Sequence, residues 1–187
     1  MSEVLRAKLG CGRFAHPVEP VGDSRLVEPI IRPYHETDGP DVVRLSLRAW
    51  APVHASLRDV MGNEIFERLY GDDWRRQQQK DVEEVLADEE TEVWVAEVNG
   101  EVVGFVAAIL KVDRGMGEIW MLAVDPESQN HGLGTQLTDV ATDWIREAGL
   151  SLALISTGGD AGHAPARRTY EKAGYTPMPS VDYFKAL

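Results

Sequence analysis

Apolar and polar residues change period several times along this chain, and each change marks an element. Thr91 to Val98 is rich in β-branched and apolar residues and runs into Asn99-Gly100, a pair that tolerates positive φ and favours a two-residue hairpin. Glu101 to Val112 returns as a nearly unbroken apolar run, which implies burial on both faces and so a central strand. Asp113 to Gly117 predicts a turn and Glu118 to Val124 the next strand, completing an antiparallel meander. Period two would put Glu118, Trp120, Leu122 and Val124 on one face of that strand, with Ile119, Met121 and Ala123 on the other. Leu133, Leu137, Val140, Ala141, Trp144 and Ala148 then recur at helical spacing, with Gly149 placed as a cap. Leu150 to Ser156 is β-rich again, which gives a strand–helix–strand unit with parallel pairing.

The flanking segments are shorter. Glu28 to Arg32 predicts a first strand stopped by Pro33. Thr37 to Asp41 carries helix-start residues, and the helix they open should run to about Trp50, with Pro52 ending it. One short helix is expected between His54 and Tyr70. Another opens at Gly71-Asp72-Asp73, with Trp74, Gln78, Val82, Val85 and Leu86 on one stripe. After the Gly-rich segment Thr157 to Gly162 comes a helix around Tyr170, closed by Gly174, and then a last strand from Val181 to Ala186. Residues 1–26 keep no period and read as an irregular arm, leaving 27–187 as a single domain. The fold class is α/β (α+β): a mixed, mostly antiparallel central sheet of about six or seven strands with helices on both faces.

Composition narrows the partners. With 187 residues, 43% apolar and 27% charged, the chain suits one globular core. Cys11 is the only cysteine, so no disulfide framework or cysteine metal site is expected. The five histidines are scattered, and no metal is expected. No apolar run approaches a membrane span and no signal core opens the sequence, so the expected location is cytoplasmic. A net charge of −12 argues against nucleic-acid and anionic-membrane binding and suits a cationic partner.

The candidate chemistry centres on Gln129-Asn130-His131-Gly132-Leu133-Gly134, between the strand ending in Val124-Asp125-Pro126 and the long helix. Glycines let backbone N–H groups approach a ligand, and a helix N-terminus adds free donors and partial positive charge. The turn is therefore a candidate phosphate or pyrophosphate site. It lacks the Lys-Ser/Thr of a P-loop and the three glycines of a dinucleotide fingerprint.

Gln/Arg-x-x-Gly-x-Gly/Ala after Val-Asp-Pro resembles the acetyl-CoA loop of the GNAT superfamily of N-acetyltransferases. His163-Ala164-Pro165-Ala166-Arg167-Arg168-Thr169-Tyr170-Glu171-Lys172-Ala173-Gly174-Tyr175 resembles that family's late helix. Ala166, Tyr170, Glu171, Lys172 and Gly174 match, while His163 stands where Asn is common. The resemblance implies the acyl-CoA N-acyltransferase fold, in which the strands before and after the loop helix splay apart to admit the cofactor's pantetheine arm. It implies acetyl-CoA as cosubstrate and an amine acceptor, a small molecule or a protein. Tyr170 would protonate the leaving thiolate, and Glu118 would be the base. Backbone groups of Leu122, Ala123 and Val124 would meet pantetheine. Gln129, Asn130, His131, Gly132, Leu133, Gly134 and Thr135 would hold the pyrophosphate, with His163, Ala166 and Arg167 on the late helix. Trp50, His54 and Asp59 would lie in a wall of the acceptor site. A non-catalytic acyl-CoA sensor that kept the loop is the alternative, and a homodimer is possible.

Overall fold

A computed structural model describes residues 28–187; the expected arm at 1–26 lies outside them. Five strands form one sheet in the order β1-β2-β3-β4-β5. They are β1 (Ile30–Pro33), β2 (Thr91–Val98), β3 (Glu101–Lys111), β4 (Met116–Val124) and β5 (Ala153–Ile155). The first four run antiparallel to their neighbours and β5 pairs parallel with β4. Of the five α-helices, α1 (Gly39–Met61), α3 (Trp74–Ala87) and α4 (Leu133–Glu147) pack on the sheet, α2 (Asn63–Tyr70) packs on α1 and α5 (Ala164–Lys172) on α4. The mixed α/β class, the helices on both faces and the central place of β3 agree with the sequence.

The apolar run of β3 is split between two cores. Val106 and Ala108 pack with Leu133, Leu137, Ala141 and Ile145 under α4. Val102, Phe105 and Ala107 pack with Val42, Leu45 and Val82 under α1 and α3. The hairpin forms as the sequence predicts, with Asn99 and Gly100 at φ 54° and 83°. Gly149, at φ 82°, follows α4 in the left-handed conformation that ends a helix.

Three expectations are corrected. Among the described residues the sheet has five strands rather than six or seven, because 175–187 contain no strand. Val181 and Tyr183 are exposed there, and Pro177 and Pro179 offer no donors to a ladder. A strand needs an edge long enough to pair with, and β5 is only three residues long. Second, α1 continues through Pro52 to Met61. Proline leaves the Arg48 carbonyl without its i+4 donor, yet packing on both sides holds the helix: Val42 and Leu45 are buried before it and His54 after it.

Third, β4 does not keep period two. Met121 pairs with Ala107 and Ile119 with Ala108, so Trp120 is an extra residue, a β-bulge. The bulge moves Ile119 onto the α4 face with Val124 and Leu122. Met121 and Ala123 face α1. A Cβ on Gly117 would strike the Ile145 side chain of α4, so Glu118, between Gly117 and Ile119, turns to the opposite, α1 face.

That contact makes a test of the α4 docking. Gly117→Ala should cost about 1–3 kcal/mol through overpacking. Ile145→Ala alone should cost about 2–5 kcal/mol. In the double variant most of the Gly117→Ala penalty should vanish, read as non-additivity in urea unfolding.

Candidate active site

β4 and β5 separate along their length. Gly117, Glu118 and Ile119 pair with Ala153, Leu154 and Ile155, and there the ladder ends. β4 continues for five more residues to Val124 with no strand on that side. A cleft of about 430 Å³ opens in the gap. Its walls are Ile119 to Val124, the loop and first turn of α4 at Gln129, Asn130 and Gly132 to Thr135, residues of α5, the end of β5, and Ala49, Trp50, Pro52 and Val53 of α1.

The direction of the β4 backbone groups follows from the ladder. Asp125 N–H donates to Val103 C=O at 2.8 Å. Antiparallel pairing alternates, so Met121 and Ala123 turn their backbone groups to β3, and Leu122 and Val124 turn theirs to the open edge. The Val124 carbonyl accepts from Gln129 Nε2 at 3.0 Å, which folds the loop back onto the strand end. Of the three β4 residues expected to meet a cofactor, Leu122 offers both its backbone groups to the open edge and Val124 its N–H, its carbonyl being taken by Gln129; Ala123 lines the cleft with its carbonyl toward Gly104 of β3.

The loop is held from two sides. Asp125 Oδ1 accepts from Glu127 N–H at 3.0 Å, and Arg48 of α1 reaches Asp125 Oδ2 at 2.9 Å and Glu127 Oε1 at 2.8 Å. Asn130 and Gly132 take φ of 67° and 84°, which turns the chain sharply into α4. The first N–H groups of α4 are then free of intrahelical partners and border the cleft. Gly134 serves packing: a Cβ there would lie 3.2 Å from Thr169 Cγ2 of α5. His131 is exposed and outside the cleft lining.

On α5, Ala166 and Tyr170 line the cleft. Burial, with a smaller contribution from Tyr175, pushes the Tyr170 pKa up to about 12, so the phenol keeps its proton at neutral pH. Arg167 turns away and donates to the carbonyls of Gly158 and Asp160 at 2.5 and 2.8 Å. Arg168 and Lys172 border the cleft instead. The sequence offers Arg167, Arg168 and Lys172 alike as contacts for the cofactor's phosphates or as a solvated helix face, and the structure separates Arg167 from the other two.

His163 stands at the N-cap position of α5 and lines the cleft, and its Nδ1 contacts Asp160 Oδ1. The loop around this pair has no spare room. A Cβ on Gly158 would lie 2.5 Å from His163 Nδ1 and 2.6 Å from Asp160 Oδ1, and one on Gly162 would lie 2.8 Å from Ser56 Cβ and 2.9 Å from Val53 Cα. Gly162 N–H donates to Ser56 Oγ at 2.9 Å, tying the loop to α1.

Glu118 lies outside the cleft lining, ion-paired with Lys111, whose ammonium also sits 5.4 Å from the Trp120 ring centre. Of the three residues expected in the acceptor wall, Trp50 lines the cleft and packs on Phe105 at 6.4 Å between ring centres. Asp59 is exposed at the far end of α1. His54 is buried behind the wall, stacked on Trp74 at 4.1 Å with Tyr70 edge-on at 5.1 Å, and burial holds its pKa down. Among the described residues no group of three or more His, Cys, Asp or Glu could hold a metal, and no helix is long and apolar enough to cross a membrane.

A splayed pair of parallel strands, a helix N-terminus at one end of the gap and a protonated tyrosine inside it define an acyltransferase-type cleft. The acetyltransferase (GNAT) family model matches residues 60–175, and the chain belongs to that family. Over 87 residues it is 38% identical to the mycothiol acetyltransferase of Beutenbergia cavernae, covering 46% of this chain and 29% of that protein. Over 89 residues it is 36% identical to the mycothiol acetyltransferase of Mycobacterium avium, covering 44% and 28%. The chain thus spans less than a third of the length of these curated relatives. The ribosomal-protein-S18-alanine N-acetyltransferase of Escherichia coli shares the fold at a TM-score of 0.59, with 20% identity over 81% of this chain and 80% of that one. So does AAC(6')-Iy, in complex with a CoA bisubstrate analogue, at a TM-score of 0.54, with 16% identity over 86% and 99%.

The tight loop before α5 is testable. Gly158→Ala and Gly162→Ala should each lower stability by about 1–3 kcal/mol. Gly159→Ala, whose added methyl group would meet nothing within 4 Å, should stay within about 0.5 kcal/mol of the parent in urea unfolding.

Proposed function

We propose that this chain transfers an acetyl group from acetyl-CoA to an amine by direct attack in a ternary complex. The observation that carries the reading is the free edge of β4, which leads from the N-terminus of α4 to Tyr170. In this reading the first N–H groups of α4 hold the pyrophosphate, with Arg168 and Lys172 adding positive charge in a chain of net charge −12. Backbone groups of Leu122 and Val124 pair with the pantetheine amides as a missing strand would. The thioester then lies beside the bulge at Trp120, within the reach of Tyr170.

Holding amine and thioester at attack distance supplies much of the rate, an effective molarity of about 10⁵ M or more. Tyr170 gives its proton to the departing thiolate. A phenol held protonated by burial suits that role, because it arrives at the reaction as an acid across the neutral range. The acceptor enters from the α1 side, between Trp50 and the start of α5. The acidic chain favours a cationic amine, whether on a small molecule or on a protein. The site of action is the cytoplasm, a placement supported by the single cysteine.

Thiol release from acetyl-CoA across a panel of polyamines, amino sugars and peptide N-termini tests this. Tyr170→Phe should lower kcat by about 10²-fold or more while CoA affinity, read by calorimetry, changes little. CoA binding with no thiol release from any amine would contradict transfer and leave a cofactor sensor.

A further inference from the structure

The cleft holds a second proton-handling side chain, on the same helix as Tyr170. We infer that His163, oriented by Asp160, takes the proton from the incoming amine, a role that rests on the acetyl-transfer reading above. His163 and Tyr170 are seven residues apart on α5 and both line the cleft. Two helical turns put them on one face, about 10 Å apart along the axis. The two ends of α5 meet different walls. Its C-terminal half touches α4, where Gly134 approaches Thr169. Its N-terminal end meets α1, where Gly162 N–H reaches Ser56 Oγ at 2.9 Å. The α4 end is the cofactor's mouth, so His163 stands at the acceptor's mouth, with Tyr170 deeper along the same face.

The pair has the form of an oriented base. A carboxylate on Nδ1 makes that nitrogen the donor and leaves Nε2 bare to accept a proton. Asp160 stays ionised: burial pushes its carboxyl up, but hydrogen bonds from Ser56, His163 and the Gly162 N–H prevail and hold it low. The absence of room for a Cβ at Gly158 and Gly162 fixes the pair in place. Glu118, by contrast, is engaged by Lys111 and lies outside the lining.

Every element packed around the pair contributes to its field. Arg167 binds the carbonyls of Gly158 and Asp160 on the loop's own side. From α1 comes His54, buried and held neutral at neutral pH by burial, with Arg58 and Arg75 near it. From α2 comes Tyr70, whose hydroxyl is pushed up by burial and by the charge of Asp160. The β4 wall, Trp120 to Val124, is uncharged.

The step balances without a further reagent. The acceptor arrives as an ammonium and gives one proton to His163 Nε2. Its lone pair forms the C–N bond at the thioester carbonyl and the C–S bond breaks. Tyr170 protonates the sulfur and regains a proton from the new amide nitrogen. The imidazolium then releases its proton to water. In this scheme His163 is a catalytic residue and Asp160 a positioning residue.

The test is the pH dependence of kcat and KM for the full chain with the best acceptor from the amine panel. His163→Ala should lower kcat at neutral pH by about 10²-fold, with KM for acetyl-CoA within about threefold, loss of the acid limb, and partial rescue by added imidazole. Asp160→Asn should lower kcat while KM for acetyl-CoA changes little, since the ring loses the carboxylate that orients it. Glu118→Gln should keep the limb. Circular dichroism melting of each variant separates misfolding from chemistry. The inference is overturned if His163→Ala keeps kcat and the limb, if it raises only the KM for acetyl-CoA, or if Glu118→Gln removes the limb instead. Failure of the transfer reading itself looks different: the unmodified chain then releases no thiol with any amine.

Discussion

The site depends on a ladder that stops early. β4 and β5 share three residue pairs and then part, and everything useful in the cleft lies beyond Ile119 and Ile155. Unpaired backbone groups at a sheet edge are normally a liability. Here they face a cavity bounded by α4 and α5, so a ligand with amides of its own can complete the sheet. The bulge at Trp120 falls where the strands separate, and it turns the second half of β4 over relative to the first. The same half-turn puts Leu122 and Val124 on the α4 side and Glu118 on the α1 side.

Packing keeps the gap open. α1 is tied to the turn after β4 by Arg48, and to the loop before α5 by Ser56 and Gly162. α5 is drawn against α4 through Gly134 and Thr169, and by the Thr142 and Tyr175 hydroxyls 2.7 Å apart. Glycines do much of this work because backbone must approach where a methyl group would not fit. The charges follow the same division. Arg168 and Lys172 line the cleft from α5, while Asp160, its carboxylate buried and held low, stands beside Ser56 of α1.

Much of this was legible in the residues. The Asn99-Gly100 hairpin, the unbroken apolar run of β3, the stripe of α4 and the strand–loop–helix order around Gly132 depend on local rules, and they hold. The splay was implied only by likeness to the GNAT family. What the sequence hid comes from pairing between distant segments. Nothing in β4 marks Trp120 as the extra residue, because a bulge is a property of two strands, and it reverses the faces that period two assigns. Pro52 looks like a stop, yet contacts from α3 and the sheet carry α1 through it. Val181 to Ala186 reads as a last strand and joins no sheet. Arg167 and Arg168 are neighbours in sequence with opposite duties, and only the fold of the Gly158–Gly162 loop distinguishes them.

The central claim is that the open edge of β4 receives the cofactor as a strand would. Backbone amide NMR during a titration with CoA tests it most directly. The account predicts large shifts and slowed hydrogen exchange at Leu122 and Val124, together with the amides of Gly132 to Thr135. It predicts little change at Met121 and Ala123, already engaged with β3. Saturable CoA binding that leaves Leu122 and Val124 unmoved would contradict it.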